Sequence, residues 1–217
     1  MALDTLKDTL KHELSDLLSA EKQFAKLLQQ VAKNADSQTV KLMAQEHYEQ
    51  TLAQQENLLK AFAAMGEKPE RITCKAAQGL VEEAVSTLKE EKPKGAIKDV
   101  VILGGSLRVE HYEIAGYTHA IAAARSLGFR EVVTLLSENL KQEKETAQKI
   151  VAAAPQFLNA APMSADSQAQ GASKGGASKS GASKGASKAG ASKGGASKGG
   201  ATKAGASKGG AKGKAKR

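Results

Sequence analysis

Four long stretches of helical periodicity follow one another in this chain, and the gaps between them are very unequal. Residues 3–33 place Leu3, Leu6, Leu10, Leu14, Leu17, Phe24, Leu28 and Val31 at spacings of three, four or their sums, the stripe of an amphipathic helix. Residues Asn34, Ala35, Asp36 and Ser37 interrupt it, with Asp36 or Ser37 as the N-cap of a second helix over 37–65. Gly66 and Pro69 end that helix, and a shorter one is expected over 75–91, closed by Lys-Pro-Lys-Gly at 92–95. A third long helix covers 96–127 with Val100, Leu103, Leu107, Ile114, Tyr117 and Ile121 on one side. Gly128 closes it, and a fourth runs over 130–153 through Val133, Leu136, Leu140 and Ile150.

The first and last gaps suit tight antiparallel hairpins, whereas the middle connection takes residues 66–95 and carries its own short helix. A four-helix bundle with one long crossover is the ferritin-like arrangement; an up-down-up-down bundle needs only short loops. A five-helix bundle of no special kind competes with it at this point. The expected fold is all-α, with the bundle in residues 1–160 and a separate tail in 161–217. With 3% aromatic residues and no Trp, the core must be built from Ala and Leu.

Charge separates the same two regions. The chain carries a net +9, but eleven lysines, one arginine and one aspartate fall in 164–217, giving that segment +11 and residues 1–163 −2. There the lysines recur mostly every fifth residue among Gly, Ala and Ser: Lys174, Lys179, Lys184, Lys188, Lys193, Lys198, Lys203 and Lys208, then Lys212, Lys214, Lys216 and Arg217. Nothing apolar larger than Ala is available to offset the entropy of ordering, so a disordered polycation is expected. Its spacing makes no helical face, it has no aromatic side chain to stack on bases, and it lacks the large apolar groups of a membrane anchor. Sequence-indifferent contact with nucleic-acid phosphates is the chemistry that remains. Its Ser-Lys-Gly-Gly units are similar to the Lys-Gly-Gly repeats of small bacterial stress proteins. The single Cys74 excludes an intramolecular disulfide, and no segment has the length of an apolar signal or membrane span, so a cytoplasmic protein is expected.

The tetrapeptide Glu-His-Tyr-Glu occurs twice, at 46–49 and at 110–113. On the third long helix the line 103, 107, 110, 114, 117, 121 reads Leu, Leu, Glu, Ile, Tyr, Ile, so Glu110 interrupts an apolar stripe, with Glu113 one turn along. Glu143 interrupts Leu136, Leu140, Ala147 and Ile150 in the same way, and Glu21 interrupts Leu14, Leu17, Phe24 and Leu28. Three helices therefore send a carboxylate inward. Residues of an antiparallel hairpin face one another when their mean number falls at the turn, which pairs Glu21 with Glu49 and Glu113 with Glu143. Buried like charges repel unless they are protonated or bridged by cations, and metals with oxygen ligands are the usual solution. The second helix is the weak limb: its strongest inward line, 43, 47, 50, 54, 58, reads Met, His, Gln, Gln, Leu, with Glu49 toward the edge. A bundle with purely structural carboxylates, dimerising to present its tails to nucleic acid, is the non-enzymatic alternative.

The segments HELSDLLSAEKQFAKLL, EHYEQTLAQQENL, GEKPERITCKAAQGLVEEA, RVEHYEIAGYTHA and LLSENLKQEKETAQKI resemble, in order and across residues 3–154, the YciE/YciF family of bacterial ferritin-like stress proteins. The resemblance implies a rubrerythrin-like bundle, often dimeric, with a dinuclear metal centre of iron or manganese and a link to stress. It implies as metal-site positions Glu21, Glu49, Glu110, Glu113 and Glu143, with His47 or His111 completing the set or standing behind it. Oxidation of Fe(II) by oxygen or peroxide is the chemistry such a site implies. The broader ferritin-like pattern also wants Glu-x-x-His on two helices. Here Leu52 follows Glu49 by three and Thr146 follows Glu143 by three, so neither His is present and an oxygen-dominated site results. His12 and His119 have no partners at ligand spacing, and there is no phosphate-binding Gly-rich loop, nucleophile elbow or Cys-x-x-Cys.

Overall fold

The computed structural model describes residues 3–164, which form helices α1 (Leu6–Asn34), α2 (Gln38–Ala64), α3 (Lys75–Glu90), α4 (Gly95–Ser126) and α5 (Arg130–Ala160). The lysines expected to form a disordered tail lie outside the described residues. Helix α1 packs on α2 and α4, and α5 packs on the other sides of α2 and α4, which closes a four-helix ring. The crossover helix α3 lies outside the ring against α1 and α4. This is the ferritin-like four-helix bundle with a long crossover. Among the described residues no helix is long and apolar enough to cross a membrane.

Local chemistry sets the ends. Thr5 and Asp8 form a capping box at α1, Thr5 Oγ1 accepting from the Asp8 amide at 3.1 Å and Asp8 accepting from the Thr5 amide at 3.0 Å. Of the two candidate caps before α2 it is Ser37 that serves, accepting from the Thr39 amide. Asp36 instead accepts from the Gly95 amide at 2.6 Å, while the buried Asp99 accepts from the amides of Asp36 and Ser37. These reciprocal bonds latch the α1–α2 turn to the start of α4. Gly66 and Gly128 take φ of +69° and +76°, which closes α2 and α4 with backbone bonds from Glu67 to Phe62 and from Phe129 to Ala124.

One boundary departs from the sequence expectation. Helix α5 does not stop at Ala153 but continues through Pro155 to Ala160. A proline inside a helix removes a hydrogen bond and costs about 3 kcal/mol. The extension carries Phe157 into the apolar cluster of Leu28, Val31, Ile102, Leu103 and Ile150, and burial of such a side chain returns about 1.5–3 kcal/mol.

The core has two apolar ends. Near the α4–α5 turn, Leu10, Leu14, Leu58, Phe62, Ile121 and Leu136 interlock; near the α1–α2 turn, the Phe157 cluster does the same. The crossover is pinned by α1, where Ser15 accepts from the Glu70 amide, Ser19 accepts from the Cys74 amide, and Gln23 donates to the Cys74 carbonyl. Cys74 is the N-cap of α3. Between the two apolar ends lies a charged layer.

Candidate metal centre

Each of the four long helices contributes to that layer from a line that is otherwise apolar. Glu21 comes from α1, His47 and Gln54 from α2, Glu110, Glu113 and Tyr117 from α4, and Asn139 and Glu143 from α5, and all are buried. His47 stands between two carboxylates, with Nδ1 3.2 Å from Glu110 Oε1 and Nε2 3.4 Å from Glu143 Oε2. Ligand atoms of His47, Glu110, Glu113 and Glu143 lie within 4.8 Å of one another, close enough to hold a metal ion. Tyr117 donates to Glu21 Oε1, and Gln54 Nε2 donates to Glu143 Oε1 and, at 3.0 Å, to Gln142 Oε1.

A second row of amides orients these contacts. Asn139 Nδ2 donates to Tyr117 Oη at 3.1 Å and to the Gln54 carbonyl at 3.2 Å, and its Oδ1 accepts from Asn57 at 2.9 Å. Because Tyr117 Oη accepts from Asn139, its own hydrogen is left for Glu21.

The layer is electrostatically incomplete on its own. Burial, then repulsion from Glu143, drives Glu21 well above the ordinary carboxylate range against the opposing bond from Tyr117. Burial and the carboxylates of Glu143, Glu21 and Glu110 do the same to Glu113. Burial also raises Glu110, to about 8, although His47 pulls it down. For His47 burial disfavours the charged form, but Glu110 and Glu143 outweigh it and hold the imidazole up to about 10. With no cation between them, Glu21, Glu110 and Glu113 thus keep protons and His47 serves as an internal positive charge.

Partner counting points the same way. Among the described residues, the buried side-chain polar atoms without a hydrogen-bond partner are Glu21 Oε2, His47 Nε2, Gln54 Oε1, Glu110 Oε2, Glu113 Oε1 and Glu143 Oε2. All six belong to this layer, and two of them, His47 Nε2 and Glu143 Oε2, have only their 3.4 Å ion pair with each other. Buried polar groups are almost always satisfied, so six orphans in one place mark a missing partner. Oxygen-rich donors with one imidazole fit a hard or borderline cation.

Of the residues singled out in the sequence, Glu21, Glu110, Glu113, Glu143 and His47 meet here. Glu49 does not: it is exposed on α2, and the contacts across the hairpin join Glu21 with Gln55 and Gln29 with Tyr48, so it is neither level with Glu21 nor turned inward. The inward line of α2 runs through His47, Thr51, Gln54 and Leu58, and Glu49 lies two residues, about 200°, round from His47. His111 is also exposed, its Nδ1 2.9 Å from the Leu107 carbonyl oxygen and away from the layer. Gln54, Asn57 and Asn139 were not singled out as site residues, although Gln54 stands in the inward line of α2. Asn139 lies on the buried line of α5 between Leu136 and Glu143, so the spacing that exposes Glu143 also passes through it.

The sequence matches, over residues 5–162, the family described as a domain of unknown function, DUF892. The chain belongs to the DUF892 family. Protein YciF of Escherichia coli strain K12 is 34% identical over 151 residues, 69% of this chain and 90% of that protein. The crystal structure of the E. coli stress protein YciF superposes with a TM-score of 0.70 at 33% identity, covering 72% of this chain and 98% of the other. YcfI of Rhodopseudomonas palustris gives 0.66 at 35% identity, covering 68% and 94%. A Xanthomonas campestris protein at 20% identity and a TM-score of 0.58 shares the fold, covering 72% and 95%. DUF892 thus provides the bundle whose middle layer holds the His/Glu cluster.

Proposed function

We propose that this chain is a ferritin-like metalloprotein of the stress response that binds two transition-metal ions, iron or manganese, and oxidises Fe(II) with dioxygen or peroxide. The observation that carries the reading is the set of six unpartnered buried atoms in one layer. Four carboxylates there would carry a charge of −4, which two divalent cations balance and one does not. His47, Glu110, Glu113 and Glu143 would hold one ion, and Glu21, which is repelled most by Glu143, extends the donor set toward the second. When bound, the ions supply the redox chemistry. The chain fixes Glu21 through Tyr117 and Glu143 through Gln54, excludes water with apolar layers on both sides, and releases the protons held by Glu110 and His47 on loading. The description of E. coli YciF as a stress protein supports the physiological setting.

Fe(II) added to the protein in air is expected to oxidise faster than in buffer and to saturate. Replacing Glu110 and Glu143 together with Gln should return the rate to that of buffer; equal rates with wild type and double variant count against the reading.

We propose also that the tail from Lys174 to Arg217 binds duplex DNA without sequence preference, with homodimerisation doubling the tails and raising avidity. If about six of its basic groups engage phosphates, log affinity falls against log salt with a slope of roughly −5. Gel shifts at two salt concentrations, with the full chain and with one lacking 165–217, test this. Binding by the shortened chain, or none by the full chain at low salt, contradicts it.

A further inference from the structure

Gln54 of α2 is fully buried, and only one end of its amide is bonded. Nε2 donates to Glu143 Oε1 and, at 3.0 Å, to Gln142 Oε1, while Oε1 has no hydrogen-bond partner. Turning the amide over would set its oxygen against those two acceptors, so its orientation is fixed. Nor can the neighbouring donors turn to it. Tyr117 Oη donates to Glu21, and Asn139 Nδ2 commits its two hydrogens to Tyr117 Oη and to the Gln54 carbonyl.

The position of this oxygen says what it lacks. Gln54 follows His47 by seven residues, about 10 Å along the helix axis, and the two meet opposite oxygens of one carboxylate. His47 Nε2 lies 3.4 Å from Glu143 Oε2, whereas Gln54 holds Glu143 Oε1. Gln55 Nε2, 3.5 Å from the Glu21 carbonyl, sets this turn of α2 level with Glu21, whose Oε2 is also unpartnered. The layer thus has an imidazole end at His47 and Glu110 and an end of oxygen acceptors at Gln54 and Glu21, with Glu143 between them. Of its six unpartnered atoms, Gln54 Oε1 alone belongs to a residue outside the donor set already described. A water there would satisfy hydrogen bonds and leave the carboxylate charge unbalanced, whereas a divalent ion answers both. A neutral amide also adds a donor without a fifth negative charge, which two divalent ions would not balance.

We propose that Gln54 Oε1 is a ligand of the second metal ion, which it holds together with Glu21 and a bridging Glu143. The inference rests on the two-ion reading above. Carboxylate and amide oxygens suit Mn(II), which serves as the probe.

Titration of the metal-free full chain with Mn(II) tests it, with metal content read by mass spectrometry and coupling between the ions by electron paramagnetic resonance. Wild type should take up two ions per chain with a spin-coupled spectrum. Gln54→Leu should take up one, with the spectrum of an isolated ion. Loss of a group that only orients a ligand costs about 10–100-fold in metal affinity, so loss of this ligand should weaken the second ion by about 100-fold or more. Gln54→Glu separates the two roles of the side chain: it keeps an oxygen for the ion, loses the N–H that holds Glu143, and should retain both ions. Gln54→Met, unbranched and of similar length, replaces the leucine variant should circular dichroism show that one unfolded. Two ions bound to the leucine or methionine variant as tightly as to wild type overturn the inference and leave the two-ion reading standing. Loss of both ions from that variant, or loss of the second ion from Gln54→Glu as well, reduces Gln54 to a residue that orients Glu143 and overturns it too. Fewer than two ions in wild type ends the two-ion reading and the inference with it.

Discussion

The two copies of Glu-His-Tyr-Glu present opposite faces to the same interior. In the copy on α2 the histidine is buried and both glutamates, Glu46 and Glu49, are exposed. In the copy on α4 both glutamates, Glu110 and Glu113, are buried and His111 is exposed. The tyrosines stand at the flanks in both: Tyr48 accepts from Gln29 of α1, and Tyr112 donates to Asp16 of the same helix. One tetrapeptide thus supplies a base to the charged layer from one helix and two acids from another. A half-turn of rotation about the helix axis assigns the roles. Composition at a motif therefore says which groups are available, and the apolar line through the motif says which are used.

The largest effect that would break this comparison is at the inward acids of the α4 copy. Glu110→Gln with Glu113→Gln should remove the whole metal-dependent stabilisation, about 2.7 kcal/mol when metal is at 100 times its Kd, in thermal melts with and without Mn(II). The corresponding pair on α2, Glu46→Gln with Glu49→Gln, should keep it.

A sharper contrast appears without metal. Glu113 is a buried carboxyl with an unpartnered oxygen, so Glu113→Leu should raise the stability of the metal-free chain by about 1–3 kcal/mol in urea. Destabilisation of that size would mean the layer is satisfied by itself.

Acidity gives the next effect. Glu110 keeps its proton to about 8 in the folded chain against an ordinary 4.5, and His47 keeps its proton to about 10 against 6.5. Both folded values are raised, so both contribute stability that is complete below the unfolded values and lost as pH rises through the folded ones. The metal-free melting temperature should fall as pH is raised from 5 to 9. Each ~1 kcal/mol lost lowers it by about 2–4 °C. With saturating metal the trend should reverse, because the ligands bind deprotonated. A flat metal-free profile would show that His47 and Glu110 are not coupled.

The smallest effects belong to the outward members. Glu49→Ala and His111→Ala should each change stability by less than ~0.5 kcal/mol and leave metal affinity unaltered by calorimetry. A large loss of affinity at Glu49 would return it to the site.

Much of this was legible before any coordinates. Unequal gaps between four apolar stripes imply the crossover, and Glu21, Glu110 and Glu143 were visible because each breaks a run of leucines or their equivalents. His47 lies on the inward line of α2, whereas turn arithmetic matches Glu49 to Glu21; the contacts across the hairpin instead join Glu21 with Gln55 and Gln29 with Tyr48, so Glu49 misses in height as well as in rotation. The amides were harder. Asn139 and Asn57 fall on the buried lines of α5 and α2, but as ordinary polar side chains they carry no metal-ligand signal, and their role shows in their mutual bond and the one to Tyr117. The extension of α5 past Pro155 depends on what Phe157 touches, a tertiary fact that overrides a local one.

The central claim is that the charged layer is a metal site of two ions whose ligands come from all four long helices. Metal content by mass spectrometry after reconstitution of the full chain with Mn(II) tests it directly, with the Glu110→Gln and Glu143→Gln double variant alongside. The account predicts two ions per chain in the wild type and none in the double variant. No bound ion in the wild type, or equal content in the two proteins, would contradict it.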